Sequence, residues 1–243
     1  VRIGIISDIH ANLEALTASL DALDRVGIDT LVCLGDVVGY GAEPNACCDL
    51  VRSRAQVTIL GNHDAAASGR MDYSFYRAPA RHVLDLHART LSAENLAWLR
   101  SLPLQAEVGE IALCHGSPAA VEDFEYIFVT DQVRELQGRF DEFKPVTFIG
   151  HSHLCKAFSF TRTEAREVLH TRFDCDADRR YIITVGSVGQ PRDYDNRACC
   201  GVYDTGTRRF EYVRAGYDID AAAQKIYDAQ IAVAFGKRLY LGV

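Results

Sequence analysis

The stretch Leu31-Val32-Cys33-Leu34-Gly35-Asp36-Val37-Val38-Gly39-Tyr40-Gly41 decides the fold. Its apolar run is continuous rather than alternating, the pattern of a strand covered on both faces, and it stops abruptly on Gly-Asp with two more glycines behind. Such a strand carries the Asp36 carboxylate to the C-terminal edge of an open α/β sheet, where ligands collect and glycines let backbone approach them closely. A lone strand-Gly-Asp is also ordinary turn chemistry, so the weight lies in repetition. The same grammar recurs in Ile3-Gly4-Ile5-Ile6-Ser7-Asp8-Ile9-His10, Val57-Thr58-Ile59-Leu60-Gly61-Asn62-His63-Asp64, Ile111-Ala112-Leu113-Cys114-His115-Gly116 and Val146-Thr147-Phe148-Ile149-Gly150-His151-Ser152-His153. Each run ends in Asp, Asn or His, a mixed oxygen and nitrogen donor set that suits Mn, Fe or Zn better than Mg or Ca. Strand ends of this kind converging on one edge make a metal centre.

Outward from these motifs, Val1–Ser7 reads as the first strand, and Leu13, Leu16, Leu20 and Leu23 recur at helical spacing up to Gly27. A helix over Pro44–Arg54 and a strand over Val57–Leu60 complete a β-α-β-α-β opening with parallel strands and right-handed crossovers. Helical periodicity in two segments fills Ser74–Leu102, the second starting at Ser92, so a helical insertion is expected at about 65–103 of a single domain spanning 1–243. Strands at Leu104–Val108 and Glu110–Cys114 turn at Gly109, and a helix over Asp131–Phe143 leads to the strand ending at Gly150. Strands then follow at Cys155–Thr161, Ala165–His170, Tyr181–Val185, Ala198–Asp204 and Thr207–Val213, the last two joined through Asp204-Thr205-Gly206. Asp218 to Phe235 reads as a closing helix with Ile219, Ala222, Ala223, Ile226 and Ala229 on one face. The expected fold class is α/β: two mixed, packed sheets with helices outside.

With 243 residues and 48% hydrophobic content the chain can bury a full core. A net charge of -7 argues against a grip on long nucleic acid, which depends on clustered Lys and Arg. No apolar run approaches the roughly 20 residues of a membrane span. The eight cysteines include the adjacent pairs Cys47-Cys48 and Cys199-Cys200 and no Cys-x-x-Cys, so they are expected to be reduced thiols of a cytoplasmic protein rather than a disulfide framework or a zinc ribbon.

Two metal ions held roughly 3.5–4 Å apart need a ligand touching both, and a carboxylate does this with its two oxygens. Asp36 is the bridging candidate. Asp8 and His10 can share one ion, His151 and His153 can serve one each, and Asn62 and His115 complete the set.

Together, Asp8-x-His10, Gly35-Asp36-x-x-Gly39, Gly61-Asn62-His63-Asp64, His115-Gly116 and Gly150-His151-x-His153 resemble the signature of the calcineurin-like metallophosphoesterase superfamily. The resemblance implies a four-layer α-β-β-α sandwich and two divalent metal ions, Mn2+ favoured with Zn2+ or Fe as alternatives. One ion would take Asp8, His10, Asp36 and His153, the other Asp36, Asn62, His115 and His151. His63 would be the catalytic histidine at the phosphate and Asp64 its orienting partner.

Relatives that act on phosphoproteins or dinucleoside tetraphosphates continue the second motif with Asp-Arg-Gly and carry Arg before Gly-Asn-His. Here those positions read Gly39-Tyr40-Gly41 and Leu60. Ser7–Leu16, His115-Gly116-Ser117-Pro118 and Gly186-Ser187-Val188-Gly189-Gln190-Pro191-Arg192 instead resemble the small prokaryotic phosphodiesterase branch, with Ala11 standing where many of its members carry Gly. The function this implies is metal-dependent hydrolysis of small or nucleotide-derived phosphodiesters. A phosphomonoesterase, or a phosphoprotein or dinucleoside polyphosphate phosphatase, is the alternative, and a protein-interaction scaffold on the same fold would require lost metal ligands, of which none is missing. Arg192 is either a substrate-phosphate clamp, as Asn62 could also be a substrate contact, or half of a structural ion pair. His82, His87 and His170 belong to no motif and are expected on the surface or on helix faces.

Overall fold

Alternation along the first strand, β1 (Arg2–Ile6), sets the layering: Ile3 and Ile5 face a second sheet, while Ile6 faces a helix. The computed structural model describes all 243 residues. After β1 come α1 (Leu13–Val26), β2 (Thr30–Cys33), α2 (Pro44–Arg54), β3 (Val57–Thr58) and the short α3 (Asn62–Ala67). Helices α4 (Ala78–Thr90) and α5 (Ala93–Ser101) precede the hairpin of β4 (Gln105–Val108) and β5 (Ile111–Cys114). Then follow α6 (Thr130–Arg134), β6 (Val146–Ile149), β7 (Cys155–Phe160), β8 (Ala165–Val168), β9 (Arg172–Asp174), β10 (Arg180–Val185), β11 (Ala198–Asp204), β12 (Arg209–Ala215), α7 (Ile219–Asp228) and α8 (Val233–Leu241).

The strands form two six-stranded mixed sheets, ordered β3-β2-β1-β11-β12-β9 and β4-β5-β6-β10-β7-β8. In each, three neighbours run parallel, β1-β2-β3 in one and β5-β6-β10 in the other. Ile3, Ile5, Val32, Phe148, Ile183 and Phe210 pack between the sheets. Outside the first sheet, Leu16, Leu20 and Leu23 of α1 cover Ile6, Cys33, Cys200 and Val202, and outside the second Val133 and Leu136 cover Phe158 and Ile182. Four layers result, α-β-β-α. Each fully buried leucine of α1 contributes about 1.5–3 kcal/mol. Asn12 fixes the start of that helix by accepting the Ala15 N–H at 3.1 Å, and Gly27 ends it in the left-handed conformation at φ 80°.

Several expected elements are corrected. The closing helix is two helices, because Gln230 takes a left-handed φ of 55° and the apolar face shifts to Ile231, Phe235 and Leu239. The expected Asp131–Phe143 helix is one α turn followed by a 3-10 turn over Gln137–Glu142, with Arg139 outside helical geometry at φ -110° beside Gly138. The strand expected over Ala165–His170 stops at Val168, and β9 is an additional short edge strand paired to β12. Strand β3 covers only Val57–Thr58, although the Ile59 N–H still donates to the Cys33 carbonyl at 3.0 Å.

Candidate metal centre

All five motifs leave their strands at one edge of the sandwich and interlock there. The Asp8 N–H donates to Gly35 O, the His10 N–H to Asp36 O, the Ala11 N–H to Val37 O and the Gly150 N–H to His115 O, at 2.8–3.1 Å. Asp8, His10, Asp36, His151 and His153 have φ of 53°, 49°, 53°, 67° and 58°, the left-handed region that side chains other than glycine rarely adopt. Each such conformation costs roughly 1–3 kcal/mol and persists only where surrounding contacts over-determine it. Here the loops hydrogen-bond to one another, and the strain aims all five side chains inward. Ala11 joins them at φ 52°. Gly39 is required for a different reason: at φ 96°, a Cβ there would collide with the His63 ring.

The donors form overlapping groups: Asp8 with His10 and His153, His10 with Asp36 and His63, and Asp36 with His115 and His151, the ligand atoms within each lying inside 4.8 Å of one another. Asp36 belongs to two of the three. Its Oδ2 is 3.3 Å from His115 Nε2 and 3.7 Å from His10 Nε2, and its Oδ1 accepts the His63 N–H at 2.8 Å. Asp8 accepts the His151 N–H and lies 3.4 Å from His153 Nε2. Asn62 Oδ1 is 3.1 Å from His115 Nε2.

Whether metal fits this set follows from the hydrogen bonds behind it. His10, His115 and His153 each place Nδ1 against a backbone carbonyl, Val38 O at 3.0 Å, Leu34 O at 2.7 Å and Gln190 O at 2.6 Å. A carbonyl only accepts, so Nδ1 carries a proton in each ring and Nε2 is the nitrogen left to meet a cation. His10 Nε2 and His153 Nε2 then face each other at 3.1 Å, and His115 Nε2 faces the Asn62 and Asp36 oxygens. Acceptors pointing at acceptors repel unless a cation lies among them, and backbone-oriented imidazoles are how proteins aim nitrogen at metal. The residues fit a binuclear metal site.

The electrostatics agree. Burial works against charge on Asp36, but His115, His63 and His10 outweigh it and hold its carboxyl well below the usual range. Burial also opposes charge on His115, yet Asp36 and Asp8 push it up to about 9. Burial, with Asp36 alongside, pushes Asp8 up to about 6. The centre thus draws positive charge to its middle. His10, His151 and His153 are held well below the imidazole range by burial, which keeps them neutral and able to donate lone pairs.

His63 lies beside this cluster, its ring 4.9 Å from His10 and 4.6 Å from Tyr40, with Nδ1 buried and without a partner. Burial, reinforced by Arg192, lowers it to about 4. Asp64 is a correction: no hydrogen bond joins it to the His63 ring. Its oxygens accept the Val38 N–H at 3.1 Å and the Gly61 N–H at 3.2 Å, closing the N-terminus of α3. Consecutive residues on a helix point about 100° apart, so a residue following His63 cannot face it. Arg192 has no carboxylate within ion-pair distance. It donates to Gln190 Oε1 at 3.1 Å, and its guanidinium carbon lies 5.6 Å from the centre of the Tyr40 ring.

Three residues escaped the sequence reasoning. Tyr76 accepts the Asn62 Nδ2–H at 2.7 Å, which leaves the Asn62 carbonyl aimed at the cluster. Tyr126 stacks on His151 with ring centres 3.8 Å apart. His87, expected on the surface or on a helix face, lies on the buried face of α4 and is 1% exposed. It accepts the Gly39 N–H at 3.0 Å and donates to Gly41 O at 3.1 Å, so one ring from α4 grips both ends of the Gly39-Tyr40-Gly41 loop. Its spacing from Val83, Leu84 and Leu91 marks the buried face and was a readable signal. His82 and His170 are exposed as expected. Replacing His87 by Ala leaves a buried donor and acceptor unpaired beside a cavity, and is expected to destabilise the protein by about 2–4 kcal/mol in denaturant titration. His82→Ala should change stability by less than about 0.5 kcal/mol.

A cleft of about 910 Å³ opens over the centre, lined by Tyr40, Asn62, His63, Tyr126 and His151 and bordered by Phe75, Phe235 and Arg238. No helix is long and apolar enough to cross a membrane. Strand-end carboxylates, imidazoles and an amide around a cation site, on two mixed sheets between helices, define a metallophosphoesterase. The family model of the calcineurin-like phosphoesterase superfamily domain matches residues 1–208, and the chain belongs to that superfamily. It is 36% identical over 246 residues to an uncharacterized protein, MJ0912, of Methanocaldococcus jannaschii, covering 99% of this chain and 98% of that one. The crystal structure of a metallophosphoesterase from Sphaerobacter thermophilus is similar at 34% identity and a TM-score of 0.84, over 100% of this chain and 99% of that chain. PH1004 from Pyrococcus horikoshii OT3, at 19% identity and a TM-score of 0.79 over 100% and 98% of the two chains, shares the fold.

Proposed function

We propose that the chain hydrolyses small or nucleotide-derived phosphodiesters, with two divalent ions held by Asp8, His10, Asp36, Asn62, His115, His151 and His153. Mn2+ is the favoured ion, with Zn2+ or Fe as alternatives, because the ligands mix carboxylate, amide and imidazole. When bound, such a pair supplies a water of lowered pKa as nucleophile and polarises the phosphoryl oxygens. The protein's own share is positioning. Asn62, fixed through Tyr76, lines the cleft where it can meet a phosphate oxygen, and His63 lines it to donate a hydrogen bond or proton to the leaving oxygen.

The observation supporting a diester is what occupies the two positions where arginine is absent. Tyr40 packs its ring against His10, His63 and Phe235, and Leu60 is buried in the core. A monoester dianion needs fixed positive charge beyond the metals, commonly arginine in a bidentate fork, whereas a diester is a monoanion. The size of the cleft leaves room for a second ester group. With saturating Mn2+, kcat/KM for a bis-aryl phosphate diester is expected to exceed that for the matching aryl monoester. A clear preference for the monoester would overturn the diester assignment and point to a phosphomonoesterase with Arg192 as its clamp.

A further inference from the structure

Away from the phosphoesterase chemistry, two thiols meet between the sheets. Cys155 begins β7 in one sheet and Cys199 lies on β11 in the other, with their sulfurs 3.1 Å apart. That separation is about 1 Å longer than the roughly 2.05 Å of a disulfide bond. Of the eight cysteines Cys155 alone is not fully buried, while its partner Cys199 is. Arg214, the cross-strand neighbour of Cys199, reaches over and donates from Nη2 to Cys155 Sγ at 3.0 Å, while its guanidinium is anchored by Asp193. Gly186 completes the arrangement: a Cβ there would stand 2.9 Å from both sulfurs, so glycine keeps open the space in which they approach.

We infer that Cys155 and Cys199 form a reversible redox modification site that accepts small-molecule disulfides. Cys155 sulfur, having given up its proton, attacks one sulfur of oxidised glutathione, forming a mixed disulfide and releasing one glutathione thiolate, which is protonated. Cys199 sulfur, losing its proton in turn, attacks Cys155 sulfur and expels the second glutathione. The protein dithiol is oxidised by two electrons, and one glutathione disulfide is reduced to two glutathione thiols. The bond ties the two sheets together next to the metal centre. Cys155 follows His153 by two residues, the Cys199 N–H donates to Ser187 O at 2.9 Å, and Ser187 Oγ donates to Asp8 O at 2.8 Å.

The test is to incubate the manganese-loaded protein with oxidised glutathione, alkylate it, and map the peptides. A cross-link between the Cys155 and Cys199 peptides is expected, with the other cysteines still alkylated after unfolding. The melting temperature should rise by roughly 5–10 °C and return on treatment with dithiothreitol. Cys199→Ser should stop at a Cys155–glutathione adduct, and Cys155→Ser should not react. A wild-type map showing Cys155 still free, arrested as the glutathione adduct, or bonded to another cysteine would overturn the inference, and that map decides even where a variant fails to fold.

Discussion

Asp36→Asn is expected to lower phosphoesterase turnover by at least about 10³ while the fold survives. The two effects separate because the two oxygens of Asp36 have different work. Oδ1 accepts the His63 N–H at 2.8 Å, and an asparagine carbonyl in the same place keeps that bond. Oδ2 faces His115 and His10, where only a carboxylate provides a second anionic donor. Ions at such a site contribute several kcal/mol of transition-state stabilisation, and each 1.36 kcal/mol is about tenfold in rate. Circular dichroism and the unfolding midpoint of the variant should stay close to wild type. An Asp36→Asn enzyme with full activity would sink the two-ion reading.

The second large effect is expected at His63. Removing a positioned proton or hydrogen-bond donor at the leaving oxygen costs about 10²–10⁴ in rate, and His63→Ala should lose that much turnover with its metal content intact. Metal content should survive because the two ligand sets proposed for the ions do not require the His63 ring. The loss should grow as the leaving group becomes more basic, since a poor leaving group depends most on the donor. An equal loss for very acidic and very poor leaving groups would argue against a donor at this position. Asp64→Asn offers a contrast: its contacts are with the Val38 and Gly61 N–H groups, so its consequence should fall on stability before turnover.

Much of the centre was legible because its information is local. An apolar run that stops on Asp, Asn or His needs only a few consecutive residues to be read, and the order of five such runs carried both the sheet edge and the donor set. What stayed hidden depends on contacts between distant segments. The burial of His87 shows in its local spacing, but its partner Gly39 lies 48 positions away, and Tyr126 meets His151 across 25, so neither contact can be read from its own neighbourhood. The pairing of Asp64 with His63 that the resemblance implied fails for a geometric reason, since consecutive residues on a helix point apart. The break between α7 and α8 turns on one left-handed residue, Gln230, whose side chain does not announce that conformation as glycine would.

The central claim is that these strand-end side chains hold two metal ions shared at Asp36. Elemental analysis of the purified wild-type protein and of Asp36→Asn, both equilibrated with Mn2+ and freed of excess ion, tests it most directly. About two equivalents per wild-type chain are expected, as a two-ion hydrolase requires, and a clear fall in a variant that remains folded. Wild-type protein that retains no metal, or a variant that retains as much as wild type, would contradict it.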